Sequence, residues 1–414
     1  MYFMSEAQVI SQSFLDRWAF IWMTVFLAAL TFSSALMEVA STSAIAGWAL
    51  LRWKTRDAVE FDRKWFLPLL GFVGLSVISF VWSEYPPQSF RGIFKVLQQF
   101  SLFWIVAECF SSQFRLGWSF RILALSFVLL GIDGCWQYVF GMDLLRHIPF
   151  EPASAGPRIS ASFKNYGLTA AYVILFLPVL FSGFQKRWKR KWNLICAAGV
   201  TFGLFLLFWT RLRGAWVAFL VGLIFFFWVT HRRRIAVVLV TAAAVAILLL
   251  PRSMVIHLDA EGKEQSLVER AYLWDRALQV IAARPLTGTG INTYSVAHQK
   301  YDTRQNWRVR NYYSHNGYLQ LAAETGLPSL ALFLAFLYFY YRQGLAGVRS
   351  AEDPVQRDTL AGILAGILNF LTLALIDTIL HNPQSVMSFW FLAGWGTAYA
   401  RRIEISRGVS SLKR

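Results

Sequence analysis

The sequence predicts an all-α polytopic membrane protein, a single transmembrane domain over 1–414 with about twelve spans and one large helix-containing loop. Three observations carry this. The chain is 56% hydrophobic and 17% aromatic but only 15% charged, where a soluble domain carries roughly a quarter. Apolar runs of about 17–25 residues recur along the whole length, the spacing that a bilayer's thickness demands. Lysine and arginine concentrate in alternate connections, the signature of orientation in a membrane.

The expected spans run, in order, over 18–36, 39–51, 65–82, 94–110, 122–140, 168–184, 192–209, 215–230, 235–250, 327–341, 360–380 and 386–400. The first is long enough to cross and lacks a small-residue cleavage site, so it is expected to stay as an uncleaved helix. Dense basic connections follow the even-numbered spans. They include Arg52 to Lys64, Lys186 to Lys191, Arg342 to Arg357 and the tail from Arg401 to Arg414. With twelve spans these fall on one side with both termini, which makes that side cytoplasmic. The net charge of +17 is accounted for by these loops and calls for no nucleic-acid partner. Cys109, Cys135 and Cys196 lie in apolar runs, at spacings that suit neither a disulfide framework nor a zinc site.

The same bookkeeping isolates an anomaly. Arg211 and Arg213 fall on the outer side, in a connection a few residues long. The only long polar interval, the outer loop over 251–326, also carries Arg252, Lys263, Arg270, Arg276, Arg284, Lys300, Arg304, Arg308 and Arg310. Outer loops normally avoid arginine, so topology does not explain these charges, and charge at membrane depth usually marks a substrate path. Headgroup snorkelling explains any one of them, and a close pair less well. Within the loop, Ser266 to Glu269 has the spacing of a capping box. The residues after it place Leu273, Trp274, Ala277, Leu278 and Ile281 at helical intervals. Arg270, Trp274 and Leu278 share one face, which puts Arg270 near the packed side, where it needs an anionic partner. Gly288-Thr289-Gly290 gives a tight turn; as a phosphate cradle it is a weak signal.

The loop ends at Ser314-His315-Asn316, where a helix begins. A neutral His315 could take a proton from a hydroxyl near neutral pH, or merely be a wetted residue at a helix start. Glu324 lies nine residues on, suited to orienting a neighbour or to packing. Tyr313 and other aromatics nearby suit sugar stacking, and also a membrane interface. The loop over 140–167 adds Arg158 and Lys164. Asp377 and His381 stand four apart at the expected end of the eleventh span, where a structural pair is expected outside the site. No Asp-x-Asp pair occurs in the outer loops, and no His-x-x-x-His or Cys-x-x-Cys occurs, so metal ligands are lacking. Arginine would then supply the positive charge for a phosphate-bearing leaving group.

These residues together resemble the O-antigen ligase family, of the O-antigen ligase/polymerase superfamily. Arg213-Gly214-Ala215-Trp216 is similar to its Arg-Gly-x-Trp signature. Arg270 to Trp274, followed by Arg284-Pro285-Leu286 and Gly288 to Asn292, is similar to its loop motif. His315-Asn316 through Glu324-Thr325-Gly326-Leu327-Pro328 is similar to its most specific segment. Ser162-Phe163-Lys164-Asn165 is similar to a further segment, but Tyr166 stands where proline is usual. The resemblance implies a GT-C-like, inverting, metal-independent glycosyltransferase with no cofactor, in the bacterial inner membrane with its active site at the periplasmic face. The donor would be O-antigen on undecaprenyl pyrophosphate and the acceptor a sugar hydroxyl of lipid A–core. His315 would be the general base, and Arg213 and Arg270 would hold the pyrophosphate. Arg211, Arg158, Lys164, Arg308, Arg310, Tyr313, Asn316 and Glu324 would contact substrate. O-antigen polymerase and protein O-oligosaccharyltransferase share the donor and differ in the acceptor; the length, with no appended C-terminal domain, leans toward the ligase. An anionic-lipid transporter is a reading of a different class. No inverted repeat supports it, and it needs no general base.

Overall fold

In a computed structural model, the described residues are 6–55, 62–110, 112–151, 157–183, 190–249, 265–302 and 313–411. Among them the chain is helical; the only β-type pairings are isolated bridges, Met142 to Pro149 and Glu151 to Arg158. The helices are α1 Glu6–Ala29, α2 Ser34–Thr55, α3 Arg63–Ile78, α4 Pro86–Cys109 and α5 Gln113–Phe140. They continue as α6 Tyr166–Ser182, α7 Arg190–Trp209, α8 Arg213–Val229, α9 Arg233–Leu249, α10 Gln265–Ala283 and the short α11 Tyr294–Ala297. The last are α12 Gly317–Ser350, α13 Pro354–Leu373 and α14 Pro383–Ser411. Among the described residues, five helices are long and apolar enough to cross a membrane, and two shorter ones, α6 and α8, are strongly apolar.

Each expected span falls on a helix, but two boundaries move. The run over 18–36 is broken: α1 ends at Ala29 and α2 starts at Ser34. Ser33 causes the break, since its hydroxyl accepts the Leu36 N–H at 3.2 Å and so starts a new helix inside an apolar run. The run over 360–380 also stops short. Helix α13 ends at Leu373, and 374–382 is an irregular connection to α14. The three cysteines are free thiols.

Helix α13 lies at the centre, packed on α6, α8, α12 and α14. Its small residues let backbones close in, the usual way apolar helices associate without a hydrophobic driving force between them. A Cβ on Gly366 would lie 1.9 Å from the Leu175 carbonyl oxygen, and one on Gly362 2.6 Å from that of Pro178. Asn369 of α13 donates to the Ile174 carbonyl at 2.7 Å, taking up a polar group that would otherwise be stranded in the core. This framework holds rigid the end of the bundle where α6, α8 and α12 begin.

Helix α12 is two segments. Gly326 interrupts it with φ +84° and ψ 162°, and Pro328 follows. The first segment, 317–325, packs with the loop over 285–302, and the second runs on into the expected span. Helix α10 is described from Gln265, so Ser266 to Glu269 lie inside the helix and do not open it, and residues 250–264 lie outside the described residues. Its buried face is Leu273, Ala277, Val280 and Ile281, whereas Leu278 is 53% exposed. The packed stripe is therefore rotated from the expected one, and the face shared by Arg270, Trp274 and Leu278 is its edge.

Candidate active site

Three helix N-termini meet the irregular 374–382 segment. A Cβ on Gly167 near the start of α6 would stand 3.8 Å from Asp377 Oδ2. One on Gly214 of α8 would stand 2.2 Å from the Ile376 side chain, and one on Gly317 of α12 2.9 Å from Leu380. Helix N-termini present partial positive charge, which favours an anion nearby; the first N–H groups of α6 and α12 are themselves taken up by Asn165, Asn316 and the Ala374 carbonyl. Arg213 is the first residue of α8, and Arg211 precedes it at φ +52° with its guanidinium 5.0 Å from the Trp209 ring centre. Arg158 joins this end because the Ile159 N–H donates to the Trp209 carbonyl at 3.1 Å. Its guanidinium donates to the Tyr166 hydroxyl at 3.0 Å and lies 4.7 Å from that ring centre. Lys164 is exposed, at φ +66° after a 3-10 turn over Ala161–Phe163.

His315 is set by local chemistry. Asn316 caps α12, its Oδ1 accepting the N–H of Tyr318 and of Leu319, both at 3.0 Å. The Ser314 hydroxyl accepts the Asn316 N–H at 3.2 Å and donates to its carbonyl at 2.6 Å. This turn holds His315 at φ +48°, a left-handed conformation that costs a non-glycine residue and clusters at functional sites. Two bonds then tie the turn to the end of α13: the Gly317 N–H to the Ala374 carbonyl at 2.7 Å, and the Tyr318 hydroxyl to that of Leu371 at 2.9 Å. Asp377 is thereby brought to His315, with Oδ1 3.5 Å from Nδ1. The expectation that Asp377 stands apart from the site is corrected, because its cause, a helix continuing through 380, is absent.

Arg270 is half-buried one turn before Trp274, whose indole N–H donates to the His315 carbonyl at 3.3 Å. The structure therefore brings Arg158, Arg211, Arg213, Arg270, Tyr313 and His315 to one end of the bundle. Arg308 and Arg310 lie outside the described residues.

Glu324 turns away from this function. It is 5% exposed, and its carboxylate accepts the N–H of Asn292 at 2.8 Å and of Tyr294 at 3.2 Å, and the Gln320 amide at 3.2 Å. These bonds fasten the loop over 288–294 to α12. The Gly288, Thr289 and Gly290 amides donate to the carbonyls of Arg284, Ala323 and Glu324 at 3.0, 3.0 and 2.9 Å, which commits all three. Arg284 pairs with Glu84, as does Lys300; the Lys300 hydrogen bond, with both cations nearby, holds the Glu84 carboxyl below the usual range.

Lys95 and His381 were not legible as site residues. A cavity of about 330 Å³ is lined by Lys95, Tyr313, Asp377 and His381. A smaller one of about 90 Å³ shares Lys95 and His381 and is lined also by Asn292, Gln320 and Glu324. Lys95 donates to Asn292 Oδ1 at 3.2 Å. A lysine at the rim of the 94–110 span was a usable signal, since intramembrane charge is rarely idle. His381 sits 4.6 Å from the Tyr313 ring centre and 3.9 Å from Glu324. Burial raises the Tyr313 phenol's pKa and lowers that of the His381 imidazole to about 4. His381 is thus neutral in the fold and protonates more readily when unfolded, at its ordinary 6.5. Stability contributed by keeping it neutral is expected to be lost as pH falls from about 6.5 to about 4, by at most about 3 kcal/mol. Melting curves across that window should lose part of their slope in His381→Gln.

The fold and this site define a helical membrane protein with a basic, histidine-bearing site at one end of its bundle. The family model described as O-Antigen ligase matches residues 198–334, which take in Arg211, Arg213, Arg270 and His315. Its members are glycosyltransferase-like enzymes, ligases and polymerases of polysaccharide. The chain is also 28% identical over 152 residues to the exopolysaccharide production protein ExoQ of Rhizobium meliloti (strain 1021). That alignment covers 35% of this chain and 34% of that protein.

Proposed function

We propose that this protein is an O-antigen ligase. It transfers polysaccharide from undecaprenyl pyrophosphate to a sugar hydroxyl of lipid A–core, at the periplasmic face of a bacterial inner membrane that it crosses about twelve times, both termini cytoplasmic. The carrying observation is the pairing of His315 with Asp377 at 3.5 Å, at an end of the bundle where three helix N-termini and several arginines gather.

Nδ1 faces Asp377, and Nε2 is assigned to the acceptor. It takes the acceptor's hydroxyl proton as the oxygen attacks the anomeric carbon. The bond from that carbon to the pyrophosphate oxygen breaks on the opposite face, so configuration inverts. Arg213 and Arg270, with Arg211 and Arg158 behind them, take the charge that grows on the leaving oxygen. Guanidinium suits this, being always charged and forked to match phosphate oxygens. Lys164 and Tyr313 line the approach of the glycan.

The test is transfer by purified protein supplied with lipid A–core and undecaprenyl-pyrophosphate-linked glycan in chelator. Capped lipid A–core is expected from wild type, with a loss of about 10²–10³-fold in Arg270→Ala and Arg213→Ala. Lengthened lipid-linked glycan without capping would make the protein a polymerase. The relative's name, which places it in exopolysaccharide production, favours that as the second reading. Movement of lipid without any transfer would sink both.

A further inference from the structure

A second cavity, of about 330 Å³, lies at the other end of the bundle, between the starts of α5 and α13 and the later part of α14. The His315–Asp377 pair stands beyond the C-terminal end of α13, whereas this cavity meets its N-terminal end at Asp353, Val355 and Gln356. Helix α13 has 20 residues, so the two sites are about 30 Å apart, at opposite ends of the bundle.

The residue that needs explaining is Arg121. It lines this cavity, and its Nε is buried without a hydrogen-bond partner. Among the described residues it has no ion-pair partner either. Its contacts are ring faces: its guanidinium carbon lies 5.6 Å from the Trp118 ring centre and 5.1 Å from that of Trp192. Aromatic faces stabilise a cation but satisfy none of its five N–H donors in their plane. Arg121 is half-buried, and its unbonded Nε–H with two aromatic faces as its contacts marks a place for an anion among the described residues. Asp353, the carboxylate on the cavity wall, is engaged in capping α13, accepting the Val355 N–H at 3.1 Å. Arg402 lines the cavity from α14, so the lining carries two cations.

The depth says which anion. Arg121 lies about two turns into α5, whose 28 residues exceed the roughly 20 that a bilayer core needs, so the first turns of the helix reach headgroup level. Beside it, Phe114 is 68% and Trp118 42% exposed, with ring centres 6.2 Å apart, an apolar ledge leading from the cavity toward lipid. Basic pockets between helix ends at headgroup depth are the form that anionic-lipid sites take. We propose that this cavity holds the phosphate of an anionic phospholipid, with Arg121 as its main ligand and an acyl chain along Phe114 and Trp118.

The experiment uses the full chain, purified and delipidated in detergent, then offered phosphatidylglycerol and phosphatidylcholine in equal amounts, with bound lipid read by native mass spectrometry. Wild type should retain the anionic lipid in about fivefold preference, the scale of one arginine at headgroup depth. The preference should persist in Arg121→Lys and approach unity in Arg121→Gln. Should Arg121→Gln fold poorly, Gln356→Glu keeps the proposal testable: it sets a carboxylate on the cavity wall and should also remove the preference. Equal retention by wild type and both neutralising variants overturns the proposal. A second arm compares melting temperatures in phosphatidylglycerol and in inorganic phosphate. Stabilisation by the lipid alone, lost in Arg121→Gln, supports it; equal stabilisation by inorganic phosphate overturns the lipid in favour of a free anion.

Discussion

His315→Ala should lower glycan transfer by about 10²–10⁴-fold while leaving retention of the lipid-linked donor near the wild-type level. The split follows from where His315 sits. Its side chain is 32% exposed and faces Asp377, whereas the charges assigned to the pyrophosphate come from α8, α10 and the 157–160 segment. Removing the imidazole deletes the proton acceptor and leaves those cations in place. Asp377→Asn should fall between, losing about 10- to 100-fold, because the amide keeps the shape but no longer stabilises an imidazolium 3.5 Å away. In the double variant the two losses should not add, since both act on one proton transfer. Labelled donor retention and transfer, measured on the same preparations, decide it. A His315→Ala protein that transfers at more than a tenth of the wild-type rate would remove the base role, and losses that multiply would break the pairing.

That experiment reaches a residue the sequence kept out of view, and the reason is local. The apolar runs fixed where helices lie, because a span must bury a continuous stretch and the pattern is long. Chain breaks inside such runs depend on single groups: Ser33 as a cap between α1 and α2, and the bonds from Gly317 and Tyr318 that hold the chain after Leu373. Reading 360–380 as one helix put Asp377 on a helix face, when it lies in a connection folded back on His315. His315, Arg213 and Arg270 were legible as candidates because each breaks a local expectation, a charge or a lone histidine where topology asks for none. Lys95 stood at the rim of a span that satisfied the hydropathy pattern, and its charge there was the one signal that set it apart. Glu324 was legible as important but not in its role. Nothing in a helical spacing tells that its carboxylate would accept backbone N–H groups from Asn292 and Tyr294, some thirty residues earlier.

The loop that Glu324 holds leads to the prediction with the largest effect on stability, Gly326→Ala. Gly326 has φ +84° and ψ 162°, a region open in practice only to glycine. A Cβ there would also lie 2.2 Å from the Leu286 carbonyl oxygen, a backbone atom that cannot swing aside. Strain and overpacking together should cost roughly 2–5 kcal/mol and lower the melting temperature by about 5–15 °C. Gly288→Ala should behave alike, since its Cβ would lie 2.3 Å from the Glu324 carbonyl oxygen at φ +64°. Gly74 in α3 is the internal control: a Cβ there meets nothing within 4 Å, and alanine should be neutral or stabilising by up to about 1 kcal/mol. The two loop variants should also lose transfer at temperatures where they remain folded. The clash acts on the contact between α12 and the loop over 285–294, and Asn292 of that loop holds Lys95 at the cavity rim. Gly326→Ala that melts with wild type would mean the loop rests on α12 without being locked to it, and the rigid placement of the site would need another source.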